Sequence, residues 1–266
     1  MSFLELRAVS QEFASDAGPV LALQGLSFSV SKGEFVALLG PSGCGKSTCL
    51  RLIAGLEQPT AGRILLAGRE VRGCGSEHEG DGARTLIFQR PSLFPWLTAA
   101  ENVAFGLRIR GWGRRERLAA AHRALAEMGL ATAANLFPHQ LSGGMQQRVA
   151  LARALILNPA VVLMDEPLSA TDALLRSRLQ LQIHQACVGR TVLFVTHSIR
   201  EALVLADRIL ILTHQPGRVR REITPPGRPP RAPDAALLTL EREIEGELME
   251  EVFESIRAPS GAGAPP

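Results

Sequence analysis

The run Gly40-Pro41-Ser42-Gly43-Cys44-Gly45-Lys46-Ser47-Thr48 has the residue types and spacing to hold a nucleoside triphosphate. A Gly-rich turn between a strand and a helix points backbone N–H groups into one concavity. Its glycines admit left-handed dihedrals and let phosphate oxygens approach the backbone. The N-terminus of the following helix, at Gly45–Ser47, adds a partial positive charge on the same side. Lys46 would reach the β- and γ-phosphates and the Ser47 hydroxyl would ligate Mg²⁺. Lys32 and Lys46 are the only lysines in the chain, every other cationic residue being arginine. The lysine at position 46 thus stands out: a compact ammonium fits where a planar guanidinium would not. Further on, the apolar run Val161–Met164 ends in two acids, Asp165 and Glu166. A carboxylate ending a buried strand lies at the mouth of the sheet, near the metal. Its neighbour can polarise a water beside the γ-phosphate, a general-base role worth about 10²–10⁴-fold in rate. Two adjacent acids at a strand end are commonly surface charges, and it is the phosphate loop that gives these two meaning.

Between these lies Leu141-Ser142-Gly143-Gly144-Met145-Gln146-Gln147-Arg148, just ahead of a helical pattern. Ser142 suits an N-cap, and the two glycines leave the helix start bare for an anion. The plain alternative is a capped helix start. A second anion-binding terminus is superfluous, however, where one loop already holds the triphosphate.

Phosphate loop, Ser-Gly-Gly helix start and paired acids, in this order, resemble the nucleotide-binding subunit of ATP-binding cassette (ABC) transporters, from about Phe3 to Ile223. The resemblance implies an α/β fold: a P-loop NTPase core, its mixed sheet carrying an N-terminal antiparallel part, with an inserted α-helical subdomain at about 99–157. It implies ATP and Mg²⁺ as cofactors and residues 40–48 as the ATP loop. Asp165 would contact the metal through water. Gln89 matches the Q-loop glutamine, touching Mg²⁺ or the lytic water. His197, in Thr196-His197-Ser198, matches the switch histidine that hydrogen-bonds the γ-phosphate. Ser142, Gly143, Gly144 and Gln146 would grip the γ-phosphate of ATP held by the opposite subunit, so that a two-fold dimer encloses two ATPs. The D-loop, usually Ser-Ala-Leu-Asp, reads Ser169-Ala170-Thr171-Asp172 here. Asp172 belongs to the nucleotide-facing set, whereas Thr171 puts a hydroxyl where an apolar anchor is expected. Phe13 is the candidate to stack on adenine in place of the usual tyrosine, its alternative being a core position.

Closing such a dimer from mostly open to mostly closed needs about 5.5 kcal/mol of differential binding. Charged hydrogen bonds contribute roughly 1.5–3 kcal/mol each, so a few per ATP suffice.

The elements that must position these groups are legible in outline. Phe3–Val9 and Leu26–Val30 read as N-terminal strands, and Phe35–Leu39 as the buried strand entering the phosphate loop, followed by the helix Lys46–Ala54. Arg63–Leu66, Thr85–Phe88, Val161–Met164, Thr191–Val195 and Ile209–Leu212 read as further strands. Helices are expected at Arg114–Met128, Met145–Ile156, Ala173–Ala186 and Ser198–Leu205. Residues 1–223 form the ATPase domain in this reading. Residues 224–266 supply a Pro/Arg-rich connector, an amphipathic helix and a disordered Ala-Pro-Ser-Gly tail. The Pro, Gly and Arg of Gln215–Asp234 suggest a solvated linker, without interleaved aromatics that would suit nucleic acid. After it, Leu237, Leu240, Ile244, Leu248, Val252 and Ile256 recur at helical spacing, for packing on the core.

The apolar fraction of 46% suits a globular core, and a net charge of +3 is too small to argue for nucleic acid on its own. No apolar run approaches the roughly 18 residues a membrane span needs, and Met1–Val9 reads as a strand rather than a leader. The four cysteines, Cys44, Cys49, Cys74 and Cys187, form no Cys-x-x-Cys pair and are expected as free thiols. Cys74, His78, Glu79 and Asp81 crowd one Gly-rich stretch but lack paired ligand spacing, so a solvated loop is the reading there.

Pro91–Leu107, with Phe94 and Trp96, resembles importers of nitrate, sulfonates, taurine and related small anions, as does the step Pro216-Gly217-Arg218. The resemblance implies separate transmembrane permease subunits, whose coupling helix Phe94 and Trp96 would receive, the alternative for both being burial within the helical subdomain. It also implies a secreted or periplasmic substrate-binding protein, a second copy of the chain and a peripheral place at the cytoplasmic face of the inner membrane. The alternative is a soluble ABC ATPase acting on nucleic acid or cofactor assembly.

Overall fold

The computed structural model describes residues 2–16, 18–73, 84–169 and 173–257. A six-stranded sheet, order β10-β9-β3-β8-β7-β6, forms the centre of the molecule. Its strands are β3 (Phe35–Leu39), β6 (Arg84–Ile87), β7 (Val161–Asp165), β8 (Thr191–Thr196), β9 (Arg208–Leu212) and β10 (Val219–Ile223). The first five run parallel; β10 pairs antiparallel to β9. A second, antiparallel sheet has the order β2-β1-β4-β5, from β1 (Ser2–Phe13), β2 (Val20–Ser31), β4 (Ala61–Leu66) and β5 (Arg69–Glu70).

The β3, β7 and β8 strands are apolar at every residue bar their ends because both faces of the central sheet are covered. Alternation assigns each side chain to one of two cores. Phe35, Ala37, Leu39, Val162, Met164, Val192 and Phe194 face the helical side. Val36, Leu38, Val161, Leu163, Leu193 and Val195 face the antiparallel sheet. Between the two sheets lies α1 (Lys46–Ala54), whose Cys49, Leu50, Leu52 and Ile53 are fully buried. A left-handed glycine flanks it at each end, Gly45 and Gly55.

The segment between β6 and β7 is helical, as expected: α2 (Ala99–Ile109), α3 (Arg114–Glu127) and α4 (Gly143–Leu155). A capping box starts α2, with Thr98 accepting from the Glu101 N–H and Glu101 accepting in return from the Thr98 N–H. Buried Asn102 ties the preceding loop to this helix, accepting from the Phe94 N–H and donating to the carbonyls of Phe94 and Leu97. The remaining helices are α5 (Ala173–Cys187), α6 (Ile199–Leu205) and α7 (Ala235–Arg257). No helix among the described residues is long and apolar enough to cross a membrane.

Three readings need correction. The first two strands are longer than expected, because the β1–β2 pair absorbs register shifts instead of ending at them. The short β5 and the strand β10 were both missed. Most consequentially, Gln215–Asp234 is not a solvated linker. It contains β10, and several of its arginines bind other parts of the chain. Arg220 pairs with Glu251, and Arg221 with Glu243 at 2.8 Å and with Glu247, all on α7. Arg231 is 8% exposed and donates to the carbonyls of Leu203, Ala206, Pro225, Pro226 and Gly227. The α7 helix packs as expected, Leu237 and Ile244 entering the helix-side core with Leu240 and Leu248 against it. The side chains of Val252 and Ile256, the tail and Cys74–Asp81 lie outside the described residues. Cys44, Cys49 and Cys187 are free and buried.

Candidate functional site

Loops leaving the carboxyl edge of β3, β6, β7 and β8 carry Gly40, Gln89, Glu166 and His197 respectively. This edge is where open parallel sheets bind ligands. The phosphate-loop glycines answer to space as well as dihedral. Gly45 has φ 95°, and a Cβ there would lie 2.6 Å from Leu23 Cδ2 and 2.8 Å from the Ala22 carbonyl oxygen. At Gly40 a Cβ would meet Cys44 Sγ at 2.9 Å. Gly43, at φ 82°, faces open space and is needed for its dihedral alone. The Lys46 side chain is almost fully enclosed. Its Nζ donates to the carbonyls of Gly40 and Pro41, 2.7 Å each, acceptors that phosphate oxygens can replace. Pro41, Ser42 and Thr48 complete the loop and the first turn of α1.

Ser47 Oγ donates to Asp165 Oδ1 at 3.0 Å, joining the start of α1 to the end of β7. Burial pushes the Asp165 carboxyl above its ordinary value; the Ser47 hydroxyl pulls it down and the Glu166 charge raises it further. Two hard oxygen donors thus converge from separate elements, a donor set suited to Mg²⁺.

Glu166 sits at φ 44°, uncommon for a residue with a side chain, and its N–H donates to the Val195 carbonyl of the adjacent strand. That tie turns its carboxylate toward β8. Glu166 Oε2 lies 3.0 Å from His197 Nδ1. The contact is satisfied with the proton on Nδ1, which leaves Nε2 facing away from the carboxylate. Gln89 Nε2 donates to Ser169 Oγ at 3.2 Å, and Ser169 Oγ donates to the Glu166 carbonyl at 3.0 Å. A continuous polar path therefore runs Gln89–Ser169–Glu166–His197. Gln89 makes no hydrogen bond to Ser47 or Asp165 among the described residues.

Two groups behind this path were passed over at the sequence level. Thr196 Oγ1 donates to Glu201 Oε2 at 2.6 Å and accepts from the Ser198 N–H at 3.0 Å, which fixes the turn bearing His197. Glu201 is 5% exposed, its carboxyl pushed up by burial, and it faces Arg176 of α5 at 3.8 Å. The spacing Ser198-x-x-Glu201 was a visible helix-start signal, and Ser198 does accept from the Glu201 N–H. What it could not reveal is that the Glu201 carboxylate turns inward to Thr196 instead of completing a capping box.

Ser142 caps α4, accepting from the Met145 N–H at 3.3 Å. A Cβ at Gly143 would touch nothing within 4 Å. Gln146 Nε2 donates back to Pro138 and Leu141 carbonyls, while Gly144 is buried. Among the described residues this set makes no hydrogen bond to the phosphate-loop side. A cleft of about 510 Å³, lined by Arg90, Pro138, Gly143, Gln146 and Pro167, adjoins it. Phe13 is half-buried at the end of β1, opposite Val20. Asp172 and Thr171 lie outside the described residues. Beside the site a groove of about 480 Å³ is lined by Phe88, Phe94, Phe105, Ile109 and Leu157. Trp96 leans on Phe94 at 5.6 Å and is 70% exposed.

The ABC transporter family profile matches residues 23–169. The taurine import ATP-binding protein TauB of Burkholderia pseudomallei is 46% identical over 222 residues, covering 82% of this chain and 83% of that protein. The nitrate import ATP-binding protein NrtD of a Synechocystis species is 42% identical over 224 residues, covering 83% of this chain and 82% of the relative. Among solved structures, a dimeric ATP-binding cassette in a post-hydrolysis state with ADP and Pi superposes with a TM-score of 0.76. It is 33% identical, covering 85% of this chain and 100% of that one.

Proposed function

This chain belongs to the ABC transporter family of ATP-binding proteins and is an ATPase; from that premise we propose that it energises uptake of a small anion through separate permease subunits. The observation that carries the reading is the convergence of Lys46, Ser47, Asp165, Glu166 and His197 at one sheet edge. Beside it lies a groove lined mostly by apolar and aromatic residues, a surface chemistry that suits an amphipathic partner helix.

In this reading the 40–48 loop receives the triphosphate and Lys46 exchanges its loop carbonyls for phosphate oxygens. Ser47 and Asp165, with Gln89, would hold Mg²⁺, which when bound neutralises phosphate charge and polarises the γ-phosphoryl group. Glu166 accepts a proton from the attacking water while His197 orients the same corner. The Ser142–Gln146 set of a second copy would close over the γ-phosphate, and Asp172 and Phe13 would complete the nucleotide contacts. Hydrolysis removes the bridging phosphate and reopens the dimer. Residues 1–223 act as this ATPase unit and 224–266 as its C-terminal extension.

The relatives' printed names, nitrate and taurine import, support a small anion as cargo and a peripheral place at the cytoplasmic face of the membrane. Such an importer also needs a substrate-binding protein outside the membrane. A nucleic-acid role is disfavoured because Arg220, Arg221 and Arg231 are engaged within the chain. Growth of a deletion strain on taurine, other sulfonates or nitrate as sole sulfur or nitrogen source tests the reading. Loss on one such source supports it; unimpaired growth on all, with ATPase activity stimulated by DNA, refutes it.

A further inference from the structure

The step Pro216-Gly217-Arg218 is distant in sequence from the phosphate loop yet presses against it. Gly217 is buried, and a Cβ built on it would collide with the carbonyl oxygen of Cys44 and approach Leu23 Cδ2 to 3.1 Å. No side chain fits there unless backbone moves. The same turn is stitched to β2. The Gly217 N–H donates to the Ala22 carbonyl at 2.9 Å, the Gln24 N–H donates to the Gly217 carbonyl at 3.1 Å, and Arg218 reaches Gln24 Oε1. On its other side Thr213, following β9, closes the turn. Thr213 Oγ1 donates to the Pro216 carbonyl and accepts from the Arg218 N–H, 3.0 Å each. The turn is therefore tied to two strands, and its smallest residue bears on the middle of the loop.

A trans peptide points its C=O and N–H in opposite directions. With the Cys44 carbonyl against Gly217, the N–H of Gly45 is turned away from the 213–218 turn, toward the side where phosphate oxygens would sit. We propose that residues 213–218 are a backing strap for the phosphate loop, with Gly217 a positioning residue that sets ATP affinity by holding the Cys44–Gly45 peptide in this orientation. This rests on reading residues 40–48 as the ATP site.

The test is Gly217→Ala in the full chain, read by titration with a fluorescent ATP analogue and by steady-state hydrolysis. One misdirected charged hydrogen bond predicts Kd and KM for ATP raised about tenfold or more, with kcat changed less than about threefold. Arg228→Ala, at an exposed side chain outside the strap, should stay within about twofold of wild type. Wild-type ATP affinity in Gly217→Ala, or an equal loss in Arg228→Ala, overturns the strap. Lys46→Ala separates the two readings: if it binds ATP as wild type does, the loop itself is misassigned whatever Gly217→Ala shows. Should Gly217→Ala fail to fold, hydrogen exchange on the wild-type protein decides. ATP should slow the amides of 215, 217 and 218 together with those of 43–47, and unchanged exchange at 215–218 overturns the strap.

Discussion

At Asp165, stability and function pull in opposite directions. Burial raises its carboxyl above the ordinary value, and the Glu166 charge adds to the rise. A carboxyl whose folded-state value lies above its unfolded one binds its proton more tightly when folded. Stability is therefore lost as pH climbs from the unfolded value through the folded one, and the penalty is complete above it. Asp165→Asn should melt a few degrees higher than wild type at pH 8, without nucleotide, because the amide can still accept from Ser47. The gain should shrink as pH falls toward the carboxylate range, and hydrolysis should be lost. Equal melting temperatures at pH 8 would show that the buried charge carries no penalty. Next to it, Glu166→Gln should slow turnover about 10²–10⁴-fold while keeping ATP affinity; a wild-type rate would remove Glu166 from the role of base. Both residues were legible from their place at the end of an apolar run. Ser169 was legible only as part of the D-loop, because its contact with Gln89 exists only once β6 and β7 pair.

Among the elements, the C-terminal segment departs furthest from its sequence reading. Composition suggested a solvated Arg-rich linker, since Pro, Gly and Arg together are the usual marks of one. Composition reports no destination for a guanidinium. Here Arg231 turns inward to satisfy the Leu203 and Ala206 carbonyls around the end of α6, the helix that follows His197. Replacing Arg231 with Ala would leave several of these carbonyls without their donor. The expected loss is about 2–4 kcal/mol, read by urea denaturation. Hydrogen exchange should quicken in α7 and in 225–231 before the central strands. A loss under about 0.5 kcal/mol would mean that water serves those carbonyls as well as the guanidinium does. By contrast α1, α3 and α4 were readable to within a residue or two, because each starts at a glycine or a hydroxyl cap.

Considered whole, the protein places its phosphate loop and its Ser142 helix start on separate layers, one at the central sheet and one in the helical insertion. Their polar contacts do not meet within the chain among the described residues. That separation is what a site completed by a second copy requires, and a similar cassette has been solved as a dimer with ADP and Pi. Glu166→Gln with ATP should therefore elute at twice the monomer mass in size-exclusion, and Ser142→Arg in the same background should return it to monomer. Dimers unaffected by Ser142→Arg would place that helix start outside the interface.

The amino-acid sequence alone located the phosphate loop, the acids at the end of β7, the histidine after β8 and the α/β class. Each can be located locally, from a turn, a cap or an apolar run, while the acids take their meaning from the phosphate loop and the histidine from the family resemblance. Only the tertiary structure decided that Glu166 meets His197, that Arg231 is buried and that Gly217 packs against Cys44. These are contacts between chain segments brought together by the packing of strands and helices, and no spacing along the chain encodes which segment will be the neighbour.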